Sequence, residues 1–378
     1  MLGISRWTEE GGSYRTIQRF FSTIINWSLL QWVLIRHHLL QGEDTFLIGG
    51  DETVVTKAGE QTYGLDRFFS SLYGKPVPGL AFFGLFLLSV NSHHSYPLML
   101  EQVVKEKARA TEPKPDKAKA RQSQRGRPKG SRNQNRHDVE LSAYLLQIQS
   151  MLRELLGLIG LELKLVFCVL DGAFGNNNAL QMVRQCELHL ISKLRHDAAL
   201  YLPYEGSQNK RGPRKKYGQK LDYHQLPQQY LKATSQDKAL QTDIYQMTLW
   251  HKRFADPLNV VIIIKTNLKT QAQAHVILFS SDLTLAYDKL IDYYCLRFQL
   301  EFNFRDAKQF WGLEDFMNIK QRPVYNAANL AMFMVNLSQV LLQQFRQACP
   351  AFSVNDLKAY FRGRKYVTET LKLLPQEP

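Results

Sequence analysis

Six apolar residues in a row, Leu165-Val166-Phe167-Cys168-Val169-Leu170, run without a polar break into Asp171. A strand with one face in water alternates apolar and polar side chains. An unbroken run therefore predicts a strand covered on both faces, at the centre of a sheet sandwiched between helices. Residues 45–55, 77–90 and 95–104 read as three strands before it, and Val139 to Ile159 as an amphipathic helix. A helix over 178–187 and a strand over 188–194 follow. Three strands, helix, strand, helix, strand is an α/β pattern. From 199 to 283 the chain turns β-rich, with 243–252, 258–266 and 274–280 reading as an antiparallel meander. A single helix is then expected from Thr284, as N-cap, to Trp311, with Gly312 as its stop.

Charge narrows the class of partner. The net charge is +14, and nine of those charges lie between Lys105 and Arg136, where twelve Lys or Arg face three acids. That stretch has no Val, Leu, Ile, Met or aromatic residue, so it cannot offset ordering entropy by burial and reads as a disordered basic loop. Such a surplus favours a polyanion, because each cation that neutralises a phosphate releases condensed counterions. Within the loop, Arg125-Gly126-Arg127-Pro128-Lys129-Gly130 resembles the core of an AT-hook, and Arg125, Arg127 and Lys129 are expected to contact DNA. Lys210 to Lys220 is a second basic stretch expected on the DNA backbone.

Other classes are excluded. No apolar stretch reaches the roughly 18–20 residues needed to cross a bilayer, so no membrane partner is expected. The N-terminus lacks a secretory pattern, and Cys168, Cys186, Cys295 and Cys349 show neither metal nor disulfide spacing. The expectation is a cytoplasmic, nucleoid-associated protein. His93, His94 and His251 lack zinc-like partners, and no ATP-binding P-loop is present.

Chemistry is carried by carboxylates. Asp51 stands where the first strand passes Gly49-Gly50, and Asp171 ends the buried run. A carboxylate there is costly to desolvate unless it is paired or binds a cation. Within the expected 284–311 helix, Tyr294, Arg297, Glu301 and Lys308 fall within about 60° of arc at 100° per residue, so they share one face. A salt-bridged surface would account for Arg297 with Glu301 alone, but not for the four together.

The run from Tyr294 to Gly312 resembles the Y-R-E-K signature of DDE transposases from bacterial insertion sequences. Asp51-Glu52-Thr53 and Val169-Leu170-Asp171-Gly172 resemble the same family, and the resemblance covers roughly residues 43 to 325. It implies a ribonuclease H-like fold: a mixed five-stranded sheet flanked by helices, with a β-rich insertion before the Glu-bearing helix. The corresponding division is a helical region at 1–42, a catalytic domain at 43–198 and 284–325, the basic loop at 105–136, the insertion at 199–283 and a helical region at 326–378. The first region is either a partial DNA-binding element or a helix packed on the main domain.

The resemblance also implies a mechanism. Asp51, Asp171 and Glu301 would hold two Mg²⁺ or Mn²⁺ ions, with Asp51 bridging them. Metal-activated water would free a 3′-OH at a transposon end, and that hydroxyl would attack target DNA. Tyr294, Arg297 and Lys308 would clamp phosphates beside the metals. Self-association in a synaptic complex is expected. Trp250 is expected in the core, although some relatives stack an aromatic of the insertion on a splayed base. Two other readings stand beside this one: a ribonuclease H-like nuclease or resolvase without strand transfer, and an inactive DNA-binding remnant.

Overall fold

The computed structural model describes residues 13–40, 42–70, 74–105, 135–208 and 211–372. Most of the basic loop, including Arg125, Arg127 and Lys129, lies outside the described residues. In chain order the elements begin with α1 (Tyr14–Ser22), α2 (Trp27–His38), β1 (Phe46–Thr56), β2 (Asp66–Ser70), β3 (Lys75–Ser89) and β4 (His94–Val103). Then come α3 (Ala143–Ile159), β5 (Phe167–Leu170), α4 (Asn177–Arg184) and β6 (His189–Leu194). The β-rich part holds β7 (Leu200–Pro203), β8 (Tyr217–Lys220), β9 (Leu231–Asp237), β10 (Leu240–His251), β11 (Leu258–Asn267) and β12 (Gln273–Ser280). The chain ends in α5 (Tyr287–Leu296), α6 (Phe298–Trp311), α7 (Gln321–Ala348) and α8 (Val354–Lys372).

β1 is the axis. Its whole length pairs antiparallel with β3, while Ile48, Gly49 and Gly50 pair parallel with Cys168, Val169 and Leu170 of β5. β5 pairs parallel with β6, and β4 lies on the far side of β3. Alternate residues on these strands enter opposite cores. Ile48, Phe83, Cys168 and Leu170 pack on the α3 side with Leu152 and Leu155. Leu47, Phe82, Phe86 and Val169 pack on the other side with Leu300, Phe304 and Val335. Two cores sharing one set of strands explain why these strands are apolar throughout. This is a mixed sheet flanked by helices, the ribonuclease H-like arrangement expected from the sequence.

The insertion differs from expectation. β12 pairs antiparallel with β6, from Ile277 opposite Leu194 to Ser280 opposite Ile191, so the β-rich segment continues the same sheet. The sheet therefore has twelve strands rather than five. β2, β7, β8 and β9 escape the sequence pattern because they are short, polar or edge strands with little buried surface.

Helix boundaries also shift. α3 starts at Ala143 rather than Val139, because the Ser142 side chain caps it by accepting from the Leu145 N–H. The single helix expected from Thr284 is two helices. The Thr284 hydroxyl donates to Asp282 at 2.7 Å in a local turn, which removes it as a cap, and Ala286 takes the position before the first turn. At Arg297 the backbone stays right-handed but tightens: the Arg297 N–H reaches the Tyr294 carbonyl, and the Leu300 N–H the Arg297 carbonyl. Gly312 ends α6 as expected, at φ 75°. α8 runs to Lys372 within the helical region expected at 326–378.

The N-terminal helices dock on α7. Buried Asn326 accepts from Trp27 Nε1 at 2.9 Å and donates to the Phe21 and Thr23 carbonyls at 2.8 Å each. Asn336 adds a donation to Gln31 Oε1 at 2.6 Å. No described helix is long and apolar enough to cross a membrane. Asn326→Ala strands one buried donor and two carbonyls, so a loss of about 3 kcal/mol is expected in urea unfolding. An unchanged midpoint would show that α1 and α2 contribute nothing to the stability of the main body.

Candidate active site

Local backbone chemistry brings the acids together. Gly50 pairs with Leu170, so Asp51, midway along β1, and Asp171, just past the end of β5, each follow the last residue of the parallel pairing. Leu47, Gly49 and Asp51 face α6, whereas Ile48, Gly50 and Glu52 face α3. Gly49 is required where it stands: a Cβ there would meet Leu88 at 2.9 Å and Leu300 at 3.1 Å. Its absence lets α6 lie close on β1, which sets Glu301, the residue after Leu300, beside Asp51.

Arg297 joins two of the three acids. Its Nη1 donates to Asp51 Oδ2 at 2.7 Å, and its Nη2 reaches Glu301 Oε1 at 3.4 Å. The Asp51 and Arg297 side chains are 18% and 17% exposed, against 47% for Glu301, so the first contact is desolvated and the second is open. Arg297 Nε is buried without a partner among the described residues. Asp171 uses its carboxylate to cap the turn that follows, accepting from the Ala173 N–H at 3.0 Å.

The electrostatics reflect this crowding. Burial pushes the Asp51 carboxyl up to about 6; Arg297 and the Glu52 N–H work against that, while Asp171 and Glu301 add to it. Burial also opposes the charge on Arg297, yet Asp51, Tyr294, Glu301 and Asp171 outweigh it and hold the guanidinium above its usual value. The Tyr294 phenol is raised by burial, with Arg297 pulling it down and Asp171 and Asp51 pushing it up. Tyr294 is thus in the same field as the acids.

Lys308 sits apart from that field. It donates to the Val54 carbonyl at 2.9 Å and reaches Glu314 at 3.4 Å, tying α6 to β1 beyond Asp51. Two residues that spacing alone did not single out also belong here. Glu52, on the opposite face of β1 from Asp51, accepts from the Tyr144 hydroxyl at 2.8 Å. Tyr144 packs against Phe83 and against Phe174 of the turn after Asp171, and burial raises its phenol, helped by Glu52, Asp171 and Asp51. The alternation of strand faces was the available signal for Glu52.

As placed, the acids surround Arg297 rather than a common point. Among the described residues no group of three or more His, Cys, Asp or Glu is close enough to hold an ion. The donor type nonetheless fits a hard divalent cation, which prefers carboxylate oxygens and tolerates water in the remaining positions. A partly desolvated Asp51 gains from any cation that reaches it.

A family model described as a DDE superfamily endonuclease matches residues 1–257, taking in Asp51 and Asp171 and stopping short of Glu301. No curated protein matches the chain.

The Asp51 shift has a definite sign. A carboxyl raised from 3.8 to about 6 on folding disfavours the folded state once ionised, so stability present below pH ~4 is lost as pH rises through ~6. The full effect is on the order of 3 kcal/mol at about 1.4 kcal/mol per unit. In metal-free protein, the stability of wild type relative to Asp51→Asn should fall by that order across this window. A difference independent of pH would contradict a desolvated Asp51. Lys308→Met should cost about 1 kcal/mol of stability and leave the salt dependence of DNA binding unchanged; a flatter salt slope would instead make Lys308 a phosphate contact.

Proposed function

The chain belongs to the DDE superfamily endonucleases, and from that membership we propose that it is a DNA transposase whose acids are Asp51, Asp171 and Glu301. Membership makes it a nucleic-acid-cleaving enzyme, with DNA as substrate, in a family that uses divalent metal ions. One observation carries the finer reading. A single guanidinium, Arg297, links Asp51 to Glu301 at the strand end where Asp171 also stands, on a helical stretch that brings Tyr294 into the same field.

In this reading Asp51, Asp171 and Glu301 hold Mg²⁺ or Mn²⁺. When bound, the metal polarises a phosphodiester oxygen and stabilises the attacking and leaving oxygens of an in-line displacement. Asp51 supplies a carboxylate whose own hydration has already been stripped away, so it presents its charge without reorganising solvent. Asp171 is held by its bond from the Ala173 N–H, which fixes one of its two oxygens. Glu301 is the exposed member and can change rotamer at low cost. Arg297 offers a planar guanidinium fork whose Nη1 and Nη2, engaged by Asp51 and Glu301, suit a phosphate once the acids have another cation. Tyr294 orients that fork from the preceding turn. Lys308 positions α6 rather than touching DNA.

Cleavage would expose a 3′-OH at an element end, and transfer of that end to target DNA would follow, with two copies of the chain pairing two ends in the cytoplasm. Two assays test the reading. Asp51→Asn and Glu301→Gln should each lower metal-dependent cleavage by at least about 10³-fold while sparing DNA binding; equal, metal-independent activity in wild type and variants would end the catalytic account. Pre-cleaved ends incubated with plasmid target should give joined products. Hydrolysis without joining would leave a nuclease and remove the transposase reading.

A further inference from the structure

One large concavity has none of the three acids in its lining. This groove, of about 1760 Å³, is lined by residues 135–140, 175–178, 194–195 and 197–199, Lys216 and residues 251–255. Its lining includes Gly175, four residues beyond Asp171 in the chain. That volume exceeds the ~300–1,000 Å³ usual for a small-molecule pocket, and the lining is mostly polar, so a polymer suits it better than a metabolite.

Besides Arg195, four cations line the groove: Arg136, Lys216, Lys252 and Arg253. All are exposed, and none has a carboxylate partner among the described residues. The groove's Asp197 is taken up by Arg195, and Asp138 and Glu140 also line it without pairing any of these four. Three of the four cations are held by one aromatic cluster. Lys252 sits 4.6 Å from the Tyr201 ring centre and Lys216 5.0 Å from that of Trp250, while Arg136 donates to the Tyr217 hydroxyl at 3.2 Å. The Tyr217 ring packs edge-on against both other rings, at 5.7 and 5.9 Å. Arg136 is further fixed through the Phe254 carbonyl and by the donation of Asn177 to its own carbonyl. His251, between these groups, is shifted down by burial and by Arg253 and Arg136, as a positive local field requires.

We propose that this groove is a sequence-independent track for the DNA phosphodiester backbone as it leaves the acids. The inference rests on the functional reading above for the identity of the polymer. The rings argue against base reading: Trp250 and Tyr201 carry ammonium groups over their faces and are only partly exposed, so they serve as anchors for cations rather than platforms for bases. Fixed cations lose little freedom when they meet phosphate, and each contact contributes through counterion release.

The test is a binding measurement on the full chain in metal-free buffer, by fluorescence anisotropy with labelled single-stranded and duplex oligonucleotides of arbitrary sequence. Combined Lys216→Ala, Lys252→Ala and Arg253→Ala should weaken binding about tenfold or more and reduce the slope of log K against log salt by about 2 to 3 between ~50 and ~200 mM. The loss should be equal on A·T-rich and G·C-rich DNA. Whichever of the two DNA forms shows the loss is the form the groove takes. A control trio at the Leu240 end of β10, Lys238→Ala, Lys265→Ala and Lys269→Ala, removes the same charge and should change neither quantity. If the groove trio destabilises the fold, Arg253→Gln alone should lower the slope by about 1. Wild-type affinity and slope in the groove variants, an equal loss in the control trio, or a loss confined to one base composition would overturn the proposal. Cleavage plays no part in this readout, so an inactive triad would leave it intact; a wild-type chain that binds no DNA would overturn both readings together.

Discussion

Three carboxylates gathered at the rim of a sheet repel one another, and the guanidinium of Arg297 is what offsets that repulsion in the metal-free chain. Unit charges about 4 Å apart near a protein surface interact by about 4 kcal/mol at an effective dielectric of ~20, a large fraction of a domain's net stability. The contact is unequal. Arg297 meets Asp51 closely and away from water, and meets Glu301 loosely and in it. Asp51 therefore remains the costly group, with a carboxyl pushed up to about 6 even with its partner in place. A site that is electrostatically unfinished with its own cation can gain from another.

The rest of the fold reads as support for that arrangement. Gly49 has no side chain, so Leu300 can press onto β1 and carry Glu301 to within reach of the same guanidinium as Asp51. Lys308 then ties the far part of α6 to the Val54 carbonyl, so the helix is held to β1 on both sides of the acids. The tightened turn at Arg297 puts the bridging residue at the joint between α5 and α6, where its side chain can serve the strand and the helix together. The alternation of Leu47 with Ile48, and of Phe82 with Phe83, puts packed cores on both faces, which keeps the strand ends from drifting.

Much of this was legible in the residues because it follows from local rules. The apolar run before Asp171 announced a strand with two covered faces, and β5 is one. The 3.6-residue period put Tyr294, Arg297 and Glu301 together even though the helix divides, because Arg297 keeps right-handed dihedrals through the joint. Lys308 shows where periodicity stops being enough: it lies at the expected angle, but seven residues of rise past Glu301 carry it to Val54. The join between β6 and β12 was invisible for a different reason. Pairing across some eighty residues leaves no local mark, and an antiparallel meander reads the same whether it stands alone or extends another sheet. Glu52 and Tyr144 are likewise a contact between distant segments, with no spacing to betray it.

That unforeseen join changes how positive charge is distributed. Since β12 hydrogen-bonds to β6, the groove and the acids share one sheet instead of two bodies linked by a hinge. The cations then fall into two sets with different work. Arg297 is engaged with Asp51 and Glu301, whereas Lys216 and Lys252 are held over aromatic rings and no acid answers Arg136 or Arg253. Holding an ammonium on a ring keeps its charge while restricting where it can reach. A lysine free to swing onto Asp51 would compete with a metal ion for the same oxygen. Under the function proposed above, cations anchored on the insertion attract a polyanion from the same sheet without neutralising the acids.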